Sequence, residues 1–82
     1  MSLFTLKVIT PGGVFYQGDV TQVIVPATEG PMGILPHHAS IIASLIRGEI
    51  DIQISESDNK TLAIQSGYVK MTDNVCMILA VF

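Results

Sequence analysis

The adjacent pair His37-His38 is the part of this 82-residue chain that most invites a chemical reading, because imidazole ligates metals and carries protons near neutral pH. In an extended segment two neighbouring side chains point to opposite faces, so the pair would not close on one ion. The single thiol, Cys76, is too distant in sequence to complete a recognisable ligand set and can form no internal disulfide. It lies in an apolar run with no neighbouring base, the setting of a small core residue rather than a nucleophile. The seven carboxylates are dispersed: Glu49 and Asp51 share the polar face of one segment, and Asp19, Asp58 and Asp73 fall at turn signals. None reads as an acid/base pair held in an apolar pocket. Glu29 stands apart, at the entrance of a Gly/Pro-rich stretch, where a turn role and a partner contact are equally compatible with its position. Gly12-Gly13 precede neither lysine nor helix, and Gly30-Pro31-Met32-Gly33 lacks the Lys-Ser/Thr ending of a phosphate-binding loop. No catalytic residue, metal or cofactor is therefore assigned. A metal-dependent enzyme using His37 and His38 stands only as a rival reading.

The elements that must position these residues are short. Turn signals recur at Pro11-Gly12-Gly13, Gly18-Asp19, Glu29-Gly30-Pro31, Arg47-Gly48, Ser57-Asp58-Asn59-Lys60, Ser66-Gly67 and Asp73-Asn74, with apolar segments of strand length between them. Ile50, Ile52 and Ile54 alternate with polar residues at period two, the pattern of a half-buried strand. Phe4, Leu6 and Val8 alternate in the same way, as do Leu62 and Ile64. Segment 75–82 is apolar on both faces, which predicts a central strand covered from both sides. In 39–46 the spacing of Ile41, Ile42, Leu45 and Ile46 suits a helical face, while the β-branched isoleucines favour a strand; it is assigned as a strand. The expected fold is all-β, a flattened antiparallel sandwich or barrel of about eight to ten short strands in one domain. Residues 28–42, with two glycines, two prolines and two histidines, predict a stiff, sharply shaped loop suited to contact.

Composition narrows the partners. The residues are 49% hydrophobic and 13% charged, with a mean hydropathy of +0.54, apolar for so small a domain. Some of that surface is expected to be left for a partner, which points to a subunit. A net charge of −3 with four scattered basic residues leaves no footprint for nucleic acid. The uncharged runs fall short of the ~18 residues of a membrane helix, so no direct bilayer insertion is expected, and no secretory signal is visible.

The run from Gly18 through Val23-Ile24-Val25-Pro26-Ala27-Thr28-Glu29-Gly30-Pro31-Met32-Gly33-Ile34-Leu35-Pro36-His37-His38-Ala39 to Ile42 resembles the epsilon subunit of rotary ATP synthases. The similarity extends to Leu6-Lys7-Val8-Ile9-Thr10-Pro11, Arg47-Gly48-Glu49-Ile50 and Gln65-Ser66-Gly67-Tyr68-Val69, and so covers residues 1–82. The resemblance implies the family's amino-terminal β-sandwich, a non-catalytic rotor domain docked on the gamma subunit and on the ring of c subunits, coupling proton- or sodium-driven rotation to ATP synthesis. It implies a c-ring contact at Glu29, Gly30, Pro31, Met32 and Gly33, and a gamma contact at Pro36, His38, Ile41, Ile42 and Ala43 with Thr10 nearby. It further implies a peripheral place on the cytoplasmic face of the bacterial plasma membrane. Family members often carry an acidic or polar residue at the position of Pro31 and glycine at that of His37. They usually continue past the position of Phe82 into a helical hairpin that inhibits ATP hydrolysis, so that regulation is not expected of these residues. The alternative reading is a small β-barrel that binds or carries a ligand in its apolar interior.

Overall fold

The computed structural model describes residues 2–82. Among these residues there are nine strands and no helix: β1 (Phe4–Thr10), β2 (Gly13–Val20), β3 (Gln22–Ala27), β4 (Gly30–Ile34), β5 (Ile41–Leu45), β6 (Gly48–Ser55), β7 (Asp58–Ile64), β8 (Ser66–Thr72) and β9 (Val75–Val81). They form one sheet in the order β2-β1-β9-β8-β5-β3-β6-β7, with β4 on the other edge of β3. The sheet folds over at β5–β3, which share the single register pair Ala27↔Leu45, and this brings β2 against β6. The result is the expected all-β sandwich, with one departure from antiparallel pairing: β1 and β9 run parallel, Thr5 opposite Val75.

Period-two patterning places the core. Phe4, Leu6 and Val8 of β1, Ile50 and Ile52 of β6, Ile64 of β7, and Cys76, Ile78 and Ala80 of β9 are buried between the layers. Among the described residues no polar or charged side chain is buried. The expectation that β9 is covered on both faces is overturned. It is central in sheet order, yet Val75, Met77, Leu79 and Val81 all remain exposed on its outer face. The strand assignment at 39–46 holds as β5, whose packed side chain is Leu45 while Ile42 points outward.

Three turn expectations are corrected, one of them Ser66-Gly67, which opens β8 with only Gln65 between it and β7. Gly18-Asp19 lies inside β2, where Gly18 gives room to the Tyr16 ring; a Cβ there would meet the Tyr16 hydroxyl at 3.0 Å. Residues 28–42 are not one loop: Thr28-Glu29 is a tight turn, Gly30–Ile34 is β4, and only 35–40 are irregular. Pro26 and Pro31 stand opposite each other across β3–β4. Neither has an N–H to exchange, so they can form only a non-hydrogen-bonded pair, and Pro31 removes one donor from the outer edge of β4, a partial guard against strand addition.

On its other side Pro26 packs on Gly48, where a Cβ would come within 2.8 Å of the proline Cβ. At the open side of the sandwich, Lys60 of β7 places its Nζ 6.0 Å from the centroid of the Phe15 ring of β2.

Candidate docking surface

The turn end of the β3–β4 hairpin is tied to the β5 segment. Thr28 donates its backbone N–H and its hydroxyl to the Ser44 carbonyl, at 3.1 and 3.2 Å, and the Ile46 N–H donates to the Pro26 carbonyl at 2.8 Å. Gly30 has φ of 126°, a conformation that side chains resist, and it lets the Thr28-Glu29 turn re-enter the ladder. Glu29 and Pro31 are exposed, and Met32 packs partly on the core. A recess of about 490 Å³ opens between this hairpin and β5, lined by 27–32 on one side and Ile42, Ala43 and Ser44 on the other. The proposed ring-facing residues Glu29, Gly30, Pro31 and Met32 thus adjoin the proposed gamma-facing Ile42 and Ala43; Gly33 lies one step further along β4.

Residues 35–40 are the irregular part of the segment expected to be a stiff, shaped loop, and they contain a turn. His38 N–H donates to the Leu35 carbonyl at 3.2 Å, and His37 has φ of 62°, which together with Pro36 defines a type II turn. The turn is tied down by Asn74, whose side-chain oxygen accepts the His37 N–H at 2.7 Å while its amide donates to the Leu3 carbonyl at 2.9 Å. His38 Nδ1 contacts the Ala39 carbonyl at 2.7 Å, so that nitrogen carries the proton. The imidazoles converge on no third ligand: among the described residues no group of three His, Cys, Asp or Glu could hold a metal. Cys76 is fully buried and burial pushes its thiol up to about 12, an inert state.

The gamma-facing candidates do not form one cluster. Pro36 and His38 lie at the end of the sheet that holds the β8–β9 turn, Ile41 follows them opposite Met71, and Thr10 lies at the other end, three strands from β5. Thr10 meets β5 only across a second recess, of about 450 Å³, whose walls include Ser44, Leu45, Gly67, Tyr68 and Leu79. Ser44 borders both recesses. Both open on the surface rather than inside the core, so neither is the enclosed apolar cavity that a small carrier needs. Between Thr10 and Ile42 stretches the outer face of β8 and β9, with Tyr68 59% exposed and the four outward β9 side chains 41–47% exposed. The sequence did signal these residues, through apolar side chains at both parities of β9, but they read there as core.

The described residues thus form a β-sandwich with a clamped hairpin and an open apolar outer face on β8 and β9. The chain belongs to the family described as ATP synthase, Delta/Epsilon chain, beta-sandwich domain, whose model matches residues 3–81. It is 45% identical over 78 residues to the ATP synthase epsilon chain of Campylobacter lari, covering 95% of this chain and 60% of that one. The corresponding chain of Sulfurovum sp. is 41% identical over 73 residues, with 89% and 57% covered. The chain thus spans about 60% of the length of these curated relatives. Its fold is similar to a chain in the Euglena gracilis mitochondrial ATP synthase (OSCP/F1/c-ring), at a TM-score of 0.89 and 20% identity, covering 98% of this chain and 51% of that one. A chain of the Tetrahymena thermophila mitochondrial ATP synthase central stalk and c ring gives 0.80 and 16%, covering 95% and 63%.

Proposed function

We propose that this chain is a non-catalytic coupling subunit of the central stalk of an ATP synthase, docked on gamma through β5 and its flanks and on the c ring through the tip Glu29, Gly30, Pro31, Met32 and Gly33. The observation that carries this reading is the tie at the turn end of the β3–β4 hairpin. Three donors from Thr28 and Ile46 fasten the tip to β5, so the two candidate contact regions move as one body. A coupling element needs that rigidity, since a loop that bent under load would absorb the rotation it should pass on. Pro31 leaves no acidic side chain at its position, so an ionic contact with the ring falls to Glu29. The complex would place the chain at the cytoplasmic face of a bacterial membrane.

The test is assembly of the chain with the gamma subunit and c ring of the same synthase. Cysteines introduced at Glu29 and at Ile42 should cross-link to the ring and to gamma respectively. Glu29→Ala should weaken coupled ATP synthesis while leaving the melting temperature unchanged. Failure of the chain to co-purify with gamma would overturn the reading.

A further inference from the structure

We infer that the peptide unit between Pro36 and His37 is a two-position switch, and that the Asn74 side-chain amide, oriented by the Leu3 carbonyl, holds it in the position seen. This inference does not rest on the docking reading. A type II turn differs from a type I turn mainly by a half-rotation of the central peptide plane, and proline suits the second residue of both. Here that plane is the Pro36–His37 peptide. The closing bond, from the His38 N–H to the Leu35 carbonyl at 3.2 Å, is common to both forms and favours neither. The difference lies in His37. The type II form sets it at φ 62°, a left-handed angle that a β-carbon resists, whereas the type I form would return it to negative φ. Left to itself, the turn would rest in the type I form.

One bond opposes that strain. The His37 N–H donates to Asn74 Oδ1 at 2.7 Å, and this N–H belongs to the plane that would rotate. In a planar trans peptide the N–H and C=O point opposite ways, so the flip would turn the Pro36 carbonyl towards Asn74 Oδ1, oxygen against oxygen. The amide could escape by exchanging its oxygen and nitrogen, but Asn74 Nδ2 donates to the Leu3 carbonyl at 2.9 Å. A carbonyl only accepts, so this tie fixes which end of the amide faces the turn. Strain at one residue and one exposed hydrogen bond are of similar size, which is the balance a switch needs. The chain start at Leu3, the β8–β9 turn and the turn that presents the two imidazoles are thereby coupled through one side chain. Freeing Leu3 releases the amide, and the flip then exchanges an outward carbonyl for an outward N–H and swings the exposed His37 ring.

NMR of the full chain reads the plane directly. The cross-peak between Pro36 Hα and the His37 N–H is intense in the position seen and weak after the flip. The unaltered chain should show it intense. Asn74→Gly tolerates φ 62° and lacks the amide, so the cross-peak should weaken severalfold and exchange of the His37 N–H should quicken by about tenfold. Adding His37→Gly removes the strain, so the cross-peak should return to full intensity while exchange stays fast. Asn74→Asp keeps an acceptor for the His37 N–H and loses the donor to Leu3; the cross-peak should stay intense while residues 2 and 3 gain mobility in backbone amide relaxation. An intense cross-peak in Asn74→Gly alone would overturn the inference, as would a weak one in Asn74→Asp. Unchanged mobility of residues 2 and 3 in Asn74→Asp would show that Leu3 does not orient the amide, and that half of the inference falls. Asn74→Ala, which also lacks the amide, is read in the same way if Asn74→Gly does not fold.

Discussion

Asn74 shows how one side chain can hold distant segments together. It occupies a left-handed conformation, φ 62°, beside Asp73 at φ 51°, the pair of positive angles that a tight β8–β9 hairpin turn requires. Its side chain links the His37 turn to Leu3, and its carbonyl accepts the Thr5 N–H at 3.2 Å. Asn74→Ala loses two exposed side-chain bonds and keeps the strained angle, so unfolding free energy should fall by about 1 to 2 kcal/mol in urea titration. Asn74→Gly relieves the angle and loses only the bonds, so it should fall by less. A larger loss for glycine than for alanine would contradict this account. His37 has the same cause at a different place. Its left-handed φ explains why glycine suits that position, a demand that nothing in the string Pro36-His37-His38 announces.

At the level of the strand, Gly67 is the sharpest test. Gly67→Ala drives a methyl into the Leu79 carbonyl, a backbone atom that cannot swing aside, and should cost roughly 2 to 3 kcal/mol by thermal or urea unfolding. Gly33→Ala, whose Cβ would meet only the Gln22 side chain at 3.6 Å, should be nearly neutral. Equal effects would mean that the β8–β9 approach is not tight. Strands with one apolar parity were legible in the sequence, since Ile50 and Ile52 could face only inward. β9 was not, because two apolar parities fit a strand buried by its own sheet as well as one left for another protein, and composition cannot separate the two. Gly18-Asp19 misled for a related reason: a glycine that makes room for Tyr16 resembles a glycine that makes a turn.

For the molecule as a whole, the sandwich class followed from local patterns while the pairing of its first and last strands did not. Thr5 and Val75 meet across most of the chain length, and no local signal encodes such a meeting. That parallel pair also has a kinetic consequence. Closing so long a loop before its contacts reward it places refolding in the millisecond-to-second range, which stopped-flow fluorescence of Tyr16 and Tyr68 can follow. Completion within microseconds would show that β1 joins after the observed step. The candidate surface was half legible in the same sense: the hairpin tip and β5 were expected from the resemblance, and the apolar outer face of β8 and β9 emerged only when register laid β1, β9, β8 and β5 side by side.

The bonds at the turn end of the β3–β4 hairpin also set how it responds to force. Thr28 and Ile46 donate across the gap to neighbouring antiparallel strands, roughly at right angles to the strand axis. A pull along the hairpin loads these bonds sideways and together, whereas a bend out of the sheet plane would peel them one after another. The hairpin is therefore a strut, stiff along its length and compliant across it.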